Sequence, residues 1–178
     1  MPGALVGLPG SGKTAVGRRL AQRLQWAFVD SDQLIEERIG CSIREFFERE
    51  GEARFREIEA QVIGEQGRGE PCVLSTGGGA VLREDNRRQL RQSFHVVYLR
   101  SSPEDLYRRL RHDVKRPLLQ VADPLGRLRE LYAARDPLYR EVAHDSVETG
   151  RPSIQSLVDL ILGQLQGAGV VPTSASPR

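Results

Sequence analysis

Apolar residues fall into short unbroken runs, separated by longer segments in which they recur every three or four positions. This is the pattern of buried strands alternating with amphipathic helices. Ala4–Leu8 predicts a strand, Lys13–Leu24 a helix with Val16, Leu20 and Leu24 on one face, and Trp26–Val29 a second strand ending at Asp30. A mainly helical stretch from Asp32 to Gln66 is expected to break near Gly40 and Gly51. Within it Ser42 reads as an N-cap, with Glu45 three residues later completing a capping box. Cys72–Ser75 predicts a third strand, running into Thr76 and the triple glycine Gly77-Gly78-Gly79. Then come a helix over Glu84–Arg91, a strand over His95–Leu99 and a helix opened by Pro103, where proline is tolerated. Leu125–Tyr139 is expected as a helix, Ser146–Glu148 as a short strand and Pro152–Leu165 as the last helix. Residues 111–124 are polar and poor in helical pattern, and the chain from Gly167 onward is expected to be disordered.

Strands alternating with helices at this spacing predict a three-layer α/β/α fold around a five-stranded parallel sheet. Right-handed crossovers put the loops that follow the strands on one sheet edge. The segments Gly7–Thr14, Asp30-Ser31-Asp32 and Gly77–Gly79 all follow strands and should meet around one cleft.

A length of 178 residues suits one compact domain, and 39% hydrophobic with 28% charged residues is ordinary for one. No apolar run approaches the roughly 20 residues of a membrane span, and Met1 to Leu8 lacks the features of a secretory leader. The expected location is therefore the cytoplasm, without a membrane partner. A net charge of +2, with both signs interleaved, gives no nucleic-acid footprint. Cys41 and Cys72 have neither CxxC spacing nor a nearby His pair, which argues against a metal or redox role. Of 26 positive residues only two, Lys13 and Lys115, are lysines. A compact ammonium fits a tight phosphate cradle better than the planar arginine fork does.

Lys13 stands in Gly7-Leu8-Pro9-Gly10-Ser11-Gly12-Lys13-Thr14, a match to GxxxxGK[ST] between a strand and a helix. Glycines let backbone N–H groups converge on an anion, and the helix start adds partial positive charge. Gly10, Ser11, Gly12, Lys13, Thr14 and Ala15 are the expected contacts to the phosphates of a nucleoside triphosphate, with Lys13 on the outer phosphates and the Thr14 hydroxyl on Mg²⁺. Neither lysine lies in an Asn-Lys-x-Asp base reader, which disfavours a GTPase. Strands three and four end in Ser75-Thr76 and Arg100, so neither supplies a motor-type acid.

The acids lie instead after the second strand. Asp30 and Asp32 can divide the work, one near Thr14 and the metal, the other aimed at an acceptor hydroxyl. Asp32 also fits a plain helix N-cap. The triple glycine reads either as bare backbone near a ligand or as a flexible connection. On spacing alone Arg56 and Glu59 form a surface ion pair, and Arg135 is a solvated helix residue. Arg116-Pro117-Leu118-Leu119 is either a basic loop or a lid placing positive charge on a transferring phosphate.

Taken in order, GLPGSGKT, FVDSD at Phe28–Asp32, GEARFREIE at Gly51–Glu59, the triple glycine, RPLL at Arg116 and RDPLY at Arg135 resemble the shikimate kinase family, a nucleoside-monophosphate-kinase-like P-loop group. The resemblance runs from Ala4 to about Leu165. It implies a single P-loop kinase domain over 1–166, a helical substrate-binding insertion over 32–62, a lid over 111–124 and a tail from 167. It implies ATP and shikimate as substrates, Mg²⁺ as cofactor and a monomer. By the same resemblance Asp32, Arg56, Gly78, Gly79 and Arg135 hold shikimate, the two arginines gripping its carboxylate. Asp32 orients or deprotonates the attacking 3-hydroxyl, Asp30 supports Mg²⁺ through water and Glu59 fixes Arg56. Lys13, Asp32 and Arg116 are then the catalytic set, with Arg109 and Arg151-Pro152 beside adenine. Ser31 stands where threonine is common in the family and keeps the hydroxyl. Rival readings are another small-molecule kinase, such as a gluconate kinase, and a catalytically silent nucleotide-binding module.

Overall fold

The structure, a computed structural model, describes residues 1–111, 121–150 and 153–172. Five strands, β1 (Gly3–Val6), β2 (Ala27–Asp30), β3 (Cys72–Ser75), β4 (His95–Arg100) and β5 (Asp145–Glu148), form one sheet in the order β2-β3-β1-β4-β5. All four pairings are parallel, with Leu5 opposite Ser75 and Val97, and Asp30 also opposite Ser75. The helices among the described residues are α1 (Lys13–Leu24), α2 (Ser31–Ile39), α3 (Ile43–Glu50), α4 (Glu52–Arg68), α5 (Glu84–Ser93), α6 (Pro103–Leu110), α7 (Pro124–Val142) and α8 (Ile154–Gly167).

Both faces of the sheet are covered. On one, Ala4 and Val6 pack with Leu90, Leu106, Leu128 and Tyr139 of α5, α6 and α7. On the other, Leu5 packs with Val16 and Leu20 of α1 and with Leu157 and Ile161 of α8. Strands buried on both sides must be apolar at successive positions, which is why they read as unbroken runs. The chain leaves β1 toward α1 on one face and leaves β3 toward α5 on the other. The two strands are neighbours, so a crevice opens between the loops that follow them. A smaller cluster of Ile35, Phe46, Phe55 and Val62 ties α2, α3 and α4 together beside that crevice.

The predicted architecture is the observed one, with local differences. β1 ends at Val6 rather than Leu8, because the chain turns out of the sheet at Gly7. A Cβ at Gly7 would stand 2.7 Å from the Leu99 carbonyl oxygen. The cap of α2 is Asp30, not Asp32: its Oδ1 accepts from the amides of Asp32 (3.0 Å) and Gln33 (3.4 Å). Ser42 caps α3 as expected, its Oγ accepting from the Glu45 amide at 3.1 Å. Asp123 caps α7, with Pro124 at its start, so the helical pattern begins inside the segment assigned to the lid. Arg116, Arg151, Pro152 and the last six residues lie outside the described residues.

Disorder from Gly167 onward does not hold for residues 167–172. The chain turns at Gly169 (φ 74°), and the Val170 amide donates back to Leu165 O at 3.0 Å. Val171, only 6% exposed, closes the core between α1 and α8. Its apolarity, missed among small and polar neighbours, explains the ordering. Val171→Ala should lower stability by roughly 1–2 kcal/mol, about 2–8 °C in Tm for a domain of this size. An unchanged thermal melt would show that Val171 adds nothing to the core.

Candidate active site

The loop between β1 and α1 folds back on its own lysine. Lys13 is buried, and its Nζ donates to the carbonyls of Gly7 (2.7 Å) and Leu8 (3.0 Å). Gly12 is the N-cap of α1 at φ 97°, a left-handed conformation suited to glycine. The first amides of α1 have no carbonyl one turn earlier, so they point outward as anion donors. They face a cleft of about 430 Å³. Gly10, Gly12, Lys13, Thr14 and Ala15 line one side of it; Asp30, Asp32, Thr76, Gly77 and Gly78 line the other. Ser11 is buried in the loop.

With Asp30 spent on the cap, Asp32 is free to turn inward from the first turn of α2. It lies against the triple glycine, where a Cβ at Gly77 would stand 2.6 Å from its Oδ1. Burial pushes the Asp32 carboxyl above the usual carboxylate range, and Asp30 adds to the rise. Lys13 and Arg56 pull the other way. A carboxylate so placed is a stronger proton acceptor than one in water. Ser31 is fully buried, and its Oγ accepts from the Gly77 amide at 3.2 Å, fixing the glycine turn to the start of α2.

Spacing alone places the Arg56–Glu59 pair on the surface; the structure buries it. Glu59 is fully buried, the Arg56 side chain is 12% exposed, and Nη1 meets Glu59 Oε1 at 2.9 Å. Burial raises the Glu59 pKa while Arg56 opposes the rise. The guanidinium lies so close to Gly79 that a Cβ there would overlap it. Gly78 is equally confined: a Cβ there would stand 3.2 Å from Arg135 Nη1. The triple glycine is therefore no loose connection. Its missing side chains are what let Asp32, Arg135 and Arg56 reach the backbone.

Arg135 is half-buried rather than solvated, and long-range contacts of α7 explain why. Asp136 accepts from the Tyr98 hydroxyl of β4 at 2.7 Å, and Tyr139 donates its hydroxyl to Gly78 O at 2.7 Å. Arg135 hydrogen-bonds that same phenol, whose pKa burial pushes up to about 12. Arg109 sits behind the phosphate loop and bonds Thr149 Oγ1 (2.8 Å) and the carbonyls of Gly10 and Ser11 (3.4 Å each). The structure thus gathers Lys13, Thr14, Asp30, Asp32, Gly78, Gly79, Arg56 and Arg135 around the cleft, with Glu59 behind Arg56. Ser31, Thr76 and Tyr139 were missed as supports. Thr76 had a visible sign, a hydroxyl at a strand end beside glycines; Tyr139 had none, because its partner Gly78 is 61 residues away.

The shikimate kinase family profile matches residues 9–166. The chain belongs to the shikimate kinase family. It is 56% identical to the shikimate kinase of Paracidovorax citrulli (strain AAC00-1), an alignment covering 96% of this chain and 94% of that protein. The structure of a shikimate kinase from Acinetobacter baumannii in complex with shikimate is 42% identical, with a TM-score of 0.85 and 96% of each chain covered. A gluconokinase from Sinorhizobium meliloti 1021, at 22% identity and TM-score 0.62 over 94% of this chain and 93% of that one, shares the fold alone. A shikimate kinase uses ATP, which accords with the phosphate loop. No described helix is long and apolar enough to cross a membrane.

The electrostatics of Asp32 carry a stability prediction. Its folded-state pKa lies above the unfolded value near 3.8, so stability falls as the pH rises from that unfolded value, and the loss is complete above the folded one. Below the unfolded value it is protonated in both states and costs nothing. Asp32→Asn should therefore raise Tm at about pH 7, the gain shrinking as the pH falls toward about 4. Thermal melts across that range check this; a lower Tm for the variant at neutral pH would contradict it.

Proposed function

We propose that this chain transfers the γ-phosphoryl group of ATP to the 3-hydroxyl of shikimate, giving 3-phosphoshikimate and ADP. One observation carries the reading: two arginines and a carboxylate converge on the same bare backbone, beside a phosphate loop. An anionic cyclohexene carrying a carboxylate and hydroxyls matches that set. Arg56 and Arg135 hold the carboxylate, for which paired guanidinium donors are well suited. The backbone of Gly78 and Gly79 supports the ring. Asp32 accepts a hydrogen bond from the 3-hydroxyl and takes its proton as the phosphoryl group moves in line, without a covalent enzyme intermediate. Lys13 draws charge from the outer phosphates.

The residues present suit Mg²⁺. The Thr14 hydroxyl and the Asp30 carboxylate offer oxygen only, and no cluster of three or more His, Cys, Asp or Glu occurs among the described residues. A sparse oxygen set is what Mg²⁺ takes when phosphates and water complete its shell. When bound, Mg²⁺ neutralises charge on the outer phosphates. Asp30 keeps one oxygen on the α2 cap, so only Oδ2 is left for a water of that shell. Residues 111–124 are proposed as a lid that brings Arg116 to the transferring group, and Arg109 and Arg151 as adenine neighbours. The protein is proposed to act as a monomeric, cytoplasmic, single-domain enzyme.

Incubating the protein with Mg-ATP and shikimate, gluconate or nucleoside monophosphates, with products read by mass spectrometry, should yield phosphoshikimate alone. Phosphorylated gluconate or nucleotide without phosphoshikimate would sink the assignment, and ATP binding with no product would favour a silent module. Asp32→Asn should lower kcat by at least about 100-fold with KM for ATP within about threefold. A turnover within about threefold of the parent excludes Asp32 as the acceptor-facing acid. Gly79→Ala should displace Arg56 and raise KM for shikimate about tenfold, leaving KM for ATP within about twofold. Equal changes in both constants would point to a general distortion instead.

A further inference from the structure

Asn86, in the first turn of α5, is fully buried and faces the back of the substrate-side ion pair. Its Nδ2 donates to Glu59 Oε1 at 3.4 Å, the same oxygen that receives Arg56 Nη1 at 2.9 Å. The amide orientation is forced chemically, since a reversed amide would set Oδ1 against a carboxylate. Asparagine is a poor choice for a buried helical position. It lacks an intrinsic helical preference, and burying its amide costs stability unless partners compensate. Its Oδ1 has no hydrogen-bond partner among the described residues, so the one observed return for burying this amide is the bond to Glu59.

We propose that Asn86 is a positioning residue for substrate binding, holding Glu59 so that Arg56 presents its guanidinium to the substrate carboxylate. The inference rests on the shikimate kinase reading of the site. Arg56 and Glu59 are one helical turn apart on α4, in the weaker order for such a pair, and the Glu59 carboxylate is held through Oε1, its Oε2 having no hydrogen-bond partner among the described residues. A second donor on Oε1, arriving from a different helix, restrains that oxygen from another direction. Burial favours the neutral acid at Glu59 and the Arg56 guanidinium works against it, and the Asn86 N–H adds a donor to the same oxygen. The segment running from Gly77 through α5 also carries Asn86. The same bond therefore ties the helix bearing Arg56 to the glycine turn it serves.

The test is steady-state kinetics and calorimetric shikimate binding for Asn86→Leu, Asn86→Asp and Glu59→Gln, with the two-site combination of Asn86→Leu and Glu59→Gln. Asn86→Leu should raise KM and Kd for shikimate about tenfold, with kcat and KM for ATP within about twofold. In the Glu59→Gln background the same change should move KM for shikimate by less than about twofold, because its effect passes through Glu59. Asn86→Asp sets a second carboxylate against Glu59, and the two would share a proton at low pH. Its KM for shikimate should lie near the parent value at about pH 6 and climb as rising pH removes that proton, a trend purely structural damage would not give. If the parent phosphorylates shikimate and folded Asn86→Leu keeps its shikimate Kd within twofold, the positioning role is wrong. Full effects of Asn86→Leu in the Glu59→Gln background overturn it as well. A parent that neither binds nor phosphorylates shikimate overturns the functional reading, and this inference with it.

Discussion

The catalytic end of the molecule depends on how β1 and β3 are joined at their last residues, where the Leu5 carbonyl accepts both the Thr76 amide (3.2 Å) and the Thr76 hydroxyl (3.0 Å). Phosphate loop and glycine turn leave from adjacent points of one rigid sheet, and their separation is set before any ligand arrives. Phosphoryl transfer gains most from such positioning, because the chemistry needs little covalent help from the protein. The parallel order β2-β3-β1 then brings the start of α2, with Asp30 and Asp32, to the same edge.

Around that frame, charge is concentrated and kept dry. Lys13 and Glu59 are buried, and Asp32 and Arg56 lie only partly open to solvent. Each ionised group would be costly alone. They persist as a mutually compensating set: Asp32 feels Lys13 and Arg56, and Glu59 feels Arg56. The compensation is incomplete, as the upward shifts at both carboxyls show. A site that tolerates such unrelieved charge gives up some stability to keep groups reactive.

Much of the fold was legible because local chemistry coincides with boundaries. The helix starts at Lys13 and Pro103 and the strand at Cys72–Ser75 were read directly, each marked by a glycine loop, a proline or an unbroken apolar run. The phosphate loop was legible for the same reason, being contiguous. Roles that depend on packing were harder to see. Whether Asp30 or Asp32 caps α2 depends on backbone angles, not on composition. The burial of Glu59 depends on α4 meeting α5, and the inward turn of Arg135 on Asp136 reaching Tyr98 across 38 residues. For Glu59 and Arg135 the family resemblance implies a place in the site where periodicity points to solvent; it assigns no cap to α2. Leu8 was misread for a related reason: it is buried from a loop, so its apolarity extended the expected strand too far.

The floor of the proposed acceptor site is main chain. Gly77, Gly78 and Gly79 offer no side chains to trim, and larger ones would strike Asp32, Pro9 and Arg135, or Arg56. Sequence drift can therefore rewrite the walls of the pocket but not its base. An inhibitor that drew its affinity from those peptide groups would leave resistance mutations little to change without disarming the enzyme itself.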